Sequence, residues 1–292
     1  MVERLLPLYE AKMIHQYDHR WATYDGALDS KGQPAARDVT SHEKRDANFV
    51  ALPRYWVPAG EVAKRLGDRS PAGWYFGYRW ITNTTNERTF VAGSVPLAGA
   101  GNSLPIAAPV EAPLVSCASA SFVLDFVARQ KLGGSNMTFG TTQQLTFPHP
   151  RQFDDHVEWV APLSLADWLH PRILELTYTA WDMAPFAEDL DDIDPITGRI
   201  NPPFIWDDDR RALLRAEIDA AFFHLYGITR DDVDYILDTF PIVRKHDKAD
   251  HGEYRTKRLI LQSYDAMAAA SSGHRYTSPV TPPPGHGPRH AR

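Results

Sequence analysis

The amino-acid sequence predicts an α+β fold in which a strand-rich half is followed by a helical half. β-branched and aromatic residues broken by Gly, Pro and Asn, as around Trp74–Trp80, indicate short antiparallel strands. Apolar residues at helical spacing between capping residues, as in Asp207–Tyr226, indicate helices. We therefore expect a strand-rich domain over residues 1–165, a helical region over 166–270 and a disordered Pro/Gly/His-rich tail over 271–292.

One helix is predicted inside the strand-rich half, over Ser119–Leu132. Its apolar side is formed by Phe122, Val123, Phe126 and Val127. Ser119 or Ser121 can cap its first turn, and Gly133-Gly134 ends it. Two Gly-, Pro-, Ser- and Ala-rich stretches, residues 26–47 and 96–113, are predicted loops.

The helical half contains four predicted helices: Leu169–Ala180, Asp207–Tyr226, Thr229–Leu237 and Tyr254–Ala270. The second is the clearest, because the carboxylates of Asp207–Asp209 suit the positive N-terminal end of a helix. Gly227 supplies its end, and Thr229 caps the next helix.

Charge and composition restrict the class of protein. The chain carries 37 acidic and 31 basic residues, a net charge of −6; residues 1–150 have a balance of +2 and residues 151–292 a balance of −8. Neither half has the basic excess of an autonomous DNA-binding protein. The single cysteine excludes an internal disulfide framework and a Cys-based zinc cluster. Without a long apolar run or a signal-peptide core, we expect a cytoplasmic protein with no membrane contact.

Asn201–Phe204 has the sequence NPPF, which amino-methyltransferases use to hold a flipped adenine. That chemistry also needs a Gly-rich loop after a strand to bind S-adenosylmethionine. The nearest candidate, Ala98–Asn102, leads into Ser-Leu-Pro and not into a helix. We therefore interpret NPPF as a proline-bounded loop that leads into the helix starting near Asp207.

Two groups of residues suggest metal chemistry at the N-terminus. His15 and His19 are spaced as zinc ligands on one helical face, although spacing places no third ligand. Glu10 and Lys12 match the end of a nuclease motif whose Pro-Asp partner is missing. A metal-dependent DNA endonuclease using Glu10, His15, Asp18 and His19 is the alternative function. The acidic run 188–194 lacks the pattern of a calcium loop and is interpreted as solvated.

The segment RWITNTTNER, Arg79–Arg88, is a dense cluster of Asn, Thr and Arg near predicted strand ends. Asn can bond adenine bidentately and Arg can bond guanine or phosphate, so these side chains are typical of base readout. A polar hairpin without a ligand is the alternative interpretation. We select Asn83, Thr85, Asn86 and Arg88 for base edges and Arg79, Arg129 and Lys131 for phosphates, with Asn136 at the same polar corner.

Seven segments together resemble a known family. They are PLYEAKMIHQYDHRWATY (Pro7–Tyr24), RWITNTTNERTF (Arg79–Phe90), GNSLP (Gly101–Pro105), SFVLDFVARQKLGG (Ser121–Gly134), ILELTYTAWDMAPFA (Ile173–Ala187), WDDDRRALLRAEIDAAFFHLYG (Trp206–Gly227) and YILDTFPIVRKHDKADHGEYRTKRLIL (Tyr235–Leu261). In this order they resemble the C-terminal target-recognition region of large adenine-specific DNA methyltransferases. These are the Type IIG restriction–modification enzymes and the methyltransferases of BREX- and DISARM-type phage-defence systems.

The resemblance implies a DNA-recognition module of a site-specific adenine-N6 methyltransferase, with double-stranded DNA as its ligand. In the family, S-adenosylmethionine binds an upstream catalytic domain, which we expect to be absent from this chain. The resemblance therefore implies no catalytic, cofactor-binding or metal-binding residue in this chain, and it implies a methyltransferase domain or subunit as partner.

Overall fold

A computed structural model describes residues 3–67, 73–107, 111–270 and 275–291. The strands in these residues are β1 (Leu5–Tyr9), β2 (Ala22–Thr23), β3 (Arg37–Asp38), β4 (Trp56–Pro58), β5 (Trp74–Tyr78), β6 (Ala92–Pro96), β7 (Gly99–Ala100) and β8 (Ile106–Ala107). Its helices in the first half are α1 (Ser41–Lys44), α2 (Ala59–Leu66), α3 (Ala112–Ala120), α4 (Phe122–Lys131), α5 (Phe139–Thr142) and α6 (Arg151–Asp154). Those in the second half are α7 (Leu165–Thr177), α8 (Ala184–Asp189), α9 (Asp208–Leu225), α10 (Arg230–Asp238), α11 (Pro241–His251) and α12 (Arg255–Ala270). The predicted α+β class is confirmed.

The strands form small sheets. β1 is the centre of one sheet, antiparallel to β4 and parallel to β7, and β5 is the centre of another, antiparallel to β6 and β8. β2 and β3 form an antiparallel pair. All residues of β5 and β6 are buried, so both faces of this pair are covered, which explains why the strand sequences are apolar or small throughout.

The largest hydrophobic cluster joins helices from both halves of the chain. It includes Leu114 and Cys117 of α3, Phe122 of α4, Ile173 of α7 and Phe222 of α9. The helical core therefore begins at α3, well before residue 166, where the sequence analysis placed the change. α3 is buried on nearly all sides, so it lacks the amphipathic period by which a surface helix is recognised.

Capping residues in the sequence correctly indicated where several helices begin. Ser121 and Thr229 accept hydrogen bonds from the first turns of α4 and α10 as predicted, and Asp207, predicted only as a carboxylate near the helix start, caps α9 in the same way. α11 was not predicted. Its Pro241 lies in the first turn, where the lack of a backbone N–H costs nothing because residues of the first turn have no intrahelical acceptor.

The tail was expected to be disordered, and its described part, residues 275–291, is instead packed on α7 and α9. The Tyr276 hydroxyl donates to Glu217 (2.5 Å), the Gly285 N–H donates to Glu175 (2.9 Å), and Val280 is buried. Arg210 donates to the carbonyl of Pro282 (2.8 Å). Prolines lack the N–H that regular backbone hydrogen bonding needs, but their carbonyls still accept hydrogen bonds. In the tail, guanidinium N–H groups donate to these carbonyls.

Among the described residues, no single helix has the length and apolar character of a membrane span. In the described part of the chain, α3 and α4 taken together meet that criterion, across a bend of 73°.

Candidate nucleic-acid interface

Two loops of the first half lie side by side and form one polar surface. The first, residues 81–87, follows β5, and the second, residues 132–138, follows α4. Ile81 and Asn136 form an antiparallel bridge, the Thr82 N–H donates to the Ser135 carbonyl (3.0 Å), and the Met137 N–H donates to the Trp80 carbonyl (2.7 Å). We call the surface of these paired loops, with the adjoining end of α4, the loop surface.

The loop surface brings together five of the eight predicted site residues, all of them exposed: Asn83, Thr85, Asn86, Lys131 and Asn136. The Asn83 carboxamide oxygen accepts from the Thr85 N–H and hydroxyl, both at 3.0 Å, and the Asn86 N–H donates to the Asn83 carbonyl (3.2 Å). This Asx turn sets the loop conformation, while the Asn86 side chain makes no hydrogen bond to any described residue. Asn86 thus keeps its donor and acceptor for a ligand.

Arg88 corrects the sequence prediction, because it is an interior residue. Its side chain is 2% exposed; Nε donates to Asp125 (2.7 Å), Nη2 donates to the Ala120 carbonyl (2.7 Å), and the guanidinium lies 4.0 Å from the Phe122 ring centroid. A guanidinium enclosed in this way cannot reach a base edge in a groove.

Asp125 holds the end of the first loop against α4. In addition to Arg88, its carboxylate accepts from the N–H groups of Thr89 (2.9 Å) and Phe90 (2.7 Å), and the residue is fully buried. Three donors on one carboxylate fix where the loop returns to β6.

Arg129 also corrects the prediction, since its guanidinium binds protein carbonyls and a hydroxyl. It donates to the carbonyls of Asn86 (2.8 Å), Glu87 (2.9 Å) and Thr239 (2.8 Å), and to the Thr89 hydroxyl (3.0 Å). The guanidinium therefore ties the first loop to the segment before α11.

Arg79 is the third arginine that turns inward. Nε and Nη2 both donate to the carbonyl of Ile14, at 3.1 and 2.6 Å, and burial lowers the pKa of the guanidinium to about 10. Arg79 therefore joins the N-terminal segment to the first loop through Nε and Nη2, while the residue also lines the cleft described below.

A cleft of about 450 Å³ lies between the first loop and α11. Thr85 and Asn86 line it on one side, and Ile242 and His246 line it on the other. The His15 and Trp21 rings also line it, with centroids 4.4 Å apart. Burial and the nearby Arg79 charge lower the pKa of His15 well below its usual value, so this imidazole is neutral at pH 7.

α11 supplies basic residues that the sequence analysis missed. Arg244, Lys245 and Lys248 are exposed and form no ion pair with a described residue. His246, on the same helix, lies 3.3 Å from Glu87 of the first loop, so α11 directly adjoins the loop surface. The signal that could have found them is the run VRKHDK after Pro241, a first-turn proline followed by closely spaced cations.

Three of the four residues of the alternative endonuclease site each bind a different partner. His15 and Asp18 close a tight turn, not a helix, so the two histidines do not share a helical face. Asp18 binds Lys44 (2.7 Å), His19 binds Asp182 (2.8 Å), and Glu10 accepts from the Tyr24 hydroxyl (2.6 Å). The described residues contain no group of three or more His, Cys, Asp or Glu side chains able to hold a metal.

The NPPF segment is a loop that leads into α9, as interpreted from the sequence, and it serves packing. Asn201 donates to Asp192 (2.9 Å), and Phe204 is buried beneath the Arg289 guanidinium at 3.7 Å from the ring centroid. The Pro202 carbonyl accepts from Arg289 (2.7 Å). With its amide and its ring both engaged, the segment holds the tail and presents nothing to a flipped base.

The chain matches no family model, no curated protein and no solved structure. The loop surface and the sequence resemblance given above are therefore the two observations that bear on function.

Proposed function

We propose that this chain is the DNA target-recognition module of a site-specific adenine-N6 DNA methyltransferase system of restriction–modification or phage defence. The observation that carries the proposal is the loop surface, on which separate stretches of the sequence place exposed Asn and Thr side chains together. Carboxamides held on a rigid surface are the groups that read adenine bidentately in the major groove. The ordered resemblance of the seven segments supports the same role.

Base readout falls to Asn86 and Asn136, whose carboxamides are exposed and make no hydrogen bond to a described residue. Asn83 and Thr85 hold the turn that presents them. Because bidentate contacts need fixed geometry, the clamps made by Asp125 and by Arg129 serve recognition by holding the loop.

Phosphate contacts come from Lys131 and from the exposed cations of α11, Arg244, Lys245 and Lys248. This set replaces the arginines chosen from the sequence. A few cations give weak, salt-sensitive binding, so the module depends on a catalytic partner for most of its affinity. That partner supplies S-adenosylmethionine and the methyl transfer, in the cytoplasm.

The test begins with selection of bound duplexes from a random pool, followed by fluorescence anisotropy on the selected and on scrambled duplexes. We expect Asn86→Ala and Asn136→Ala each to weaken binding of the selected duplex about tenfold, since one good bidentate pair discriminates by about 1–3 kcal/mol. Each variant should also lose the base preference at one position. Asn48→Ala removes an exposed Asn outside the loop surface and is the matched control; its affinity should not change.

Phosphate contacts are separated from base contacts by the salt dependence. Lys245→Ala and Lys248→Ala should each weaken the binding of selected and of scrambled duplexes by the same factor. Each should also reduce the slope of the logarithm of the binding constant against the logarithm of the salt concentration by about 1. Failure to enrich any sequence overturns the recognition role. Methyl transfer from S-adenosylmethionine to DNA by this chain alone overturns the claim that it is only the recognition part.

A further inference from the structure

A second cavity, of about 400 Å³, shares one wall with the loop surface. Trp80 lines this cavity, whereas the next residue, Ile81, lines the cleft that faces α11. The other walls come from β1 and β4, through Leu8 and Val57, and from α2, through Val62. The cavity thus adjoins the start of the first loop through Trp80, and the proposed DNA-recognition role does not use it.

The shared wall carries two aromatic rings. Trp80 and Phe139 contact each other edge to face, with centroids 5.4 Å apart and planes 66° apart. Phe139 is 62% exposed, and it belongs to α5, which directly follows the second loop of the loop surface. An exposed aromatic face beside an apolar cavity gains free energy when a flat ring covers it.

Three residues that line the cavity have a polar side-chain group that makes no hydrogen bond or ion pair with any described residue: Trp80 (indole N–H), Asn102 (carboxamide) and Arg65 (guanidinium). An apolar cavity with a few converging free polar groups is the usual form of a small-molecule site. A ligand that uses these groups is planar, offers an acceptor to the indole N–H, and carries both a donor and an acceptor for the carboxamide.

A nucleobase has these properties, and adenine matches a carboxamide bidentately. We propose that this cavity binds an adenine base that has left the stack of the bound DNA, with the base against Phe139 and Trp80 and its polar edge toward Asn102. The proposal rests on the DNA-binding role of the loop surface, whose second loop leads directly into Phe139. Stacking on an aromatic side chain contributes about 1–3 kcal/mol per base, which offsets the unpairing of one base.

The test compares a fully paired duplex with one that carries a single bulged adenine, in which unpairing is already complete. We expect the wild-type chain to bind the bulged duplex about tenfold more tightly in fluorescence anisotropy, a change at the lower part of the stacking range. Phe139→Ala should remove this preference and leave the affinity for the paired duplex within about twofold, because stacking on the bulged base alone is lost. Tyr235→Ala is the control, since Tyr235 is 64% exposed but lies on α10, away from the cavity.

Asn102→Ala adds a readout that a role in folding would not change. It should lower the preference for a bulged adenine over a bulged thymine while both still bind. Equal binding of paired and bulged duplexes by the wild type, or a preference that persists in Phe139→Ala, overturns the cavity proposal and leaves the recognition role intact. If a side chain of a partner protein fills the cavity in place of a base, the wild-type chain should bind paired and bulged duplexes equally. Absence of binding to either duplex overturns both proposals.

Discussion

Replacing Asp125 by alanine removes the carboxylate that holds the first loop of the loop surface against α4. In the folded chain this group is fully buried and accepts from Arg88 Nε and from the N–H groups of Thr89 and Phe90. The substitution leaves the Arg88 guanidinium enclosed without its counter-ion and two buried N–H groups without acceptors.

The loss of stability follows from those three groups. Breaking a buried ion pair by removing one partner costs about 3–5 kcal/mol, and each orphaned N–H adds about 1–3 kcal/mol before relaxation. Because the loop can shift and admit water, we expect Asp125→Ala to lower the free energy of unfolding by about 5 kcal/mol. Asp125→Asn keeps an acceptor for the N–H groups but loses the charge, so its loss should be about 3 kcal/mol.

Urea unfolding followed by far-UV circular dichroism measures these values. If Asp125→Ala does not fold, Asp125→Asn still gives a measurable transition. Asp250→Ala, at an exposed position of α11, should stay within about 0.5 kcal/mol of the wild type. A double-mutant cycle with Arg88→Met should give a coupling of about 2 kcal/mol or more, because the second change removes the unpaired charge. A loss below about 1 kcal/mol in Asp125→Ala, or no coupling to Arg88, would refute the clamp.

Three further predictions concern other contacts. Arg129→Ala should lower the unfolding free energy by about 2 kcal/mol in urea and weaken duplex binding, because it releases the first loop from its carbonyl contacts. Tyr276→Phe should lower the unfolding free energy by about 2 kcal/mol through loss of the bond to Glu217, while the exposed Tyr235→Phe changes nothing. Burial raises the pKa of Asp219 to about 6, so between pH 4 and 6 the folded chain keeps a proton that the unfolded chain has released. Raising the pH across that range should lower the unfolding free energy by about 3 kcal/mol, and Asp219→Asn should lack this part of the pH dependence.

Local signals in the sequence predicted local structure well. The starts of α9 and α10 follow from Asp207 and Thr229, because a cap and the N–H that it accepts lie within one turn. Neither α3, with no polar face, nor the packing of the tail could be found by periodicity. Both depend on contacts with distant parts of the chain, such as that of Tyr276 with Glu217.

The exposure of part of the candidate site was predicted, and its role in DNA binding stays a prediction. The exposed amides of Asn83, Asn86 and Asn136 were found because short polar side chains in turns favour the surface. The arginines were chosen because the local sequence does not distinguish a guanidinium that is exposed to solvent from one that binds a buried carboxylate. For Arg88 that carboxylate is 37 residues away in the sequence, at Asp125, and no spacing rule reaches it.

The inward-facing arginines also reduce how much of the positive charge of the first half is available to contact phosphates. Counterion release depends on cations that reach phosphates, so Arg20, Arg79, Arg88 and Arg129, which all bind interior carbonyls, add to the +2 balance without adding to affinity. The exposed cations on and beside the loop surface are Lys131, Arg244, Lys245 and Lys248, three of them from the half with a balance of −8. In the proposed complex, four phosphate contacts give a slope of log K against log salt of about −3.6, or roughly a hundredfold loss between 50 and 200 mM. The proposed recognition of DNA therefore needs both halves of the chain: in the proposal, the strand-rich half presents the amides and a helix of the acidic half binds the phosphates.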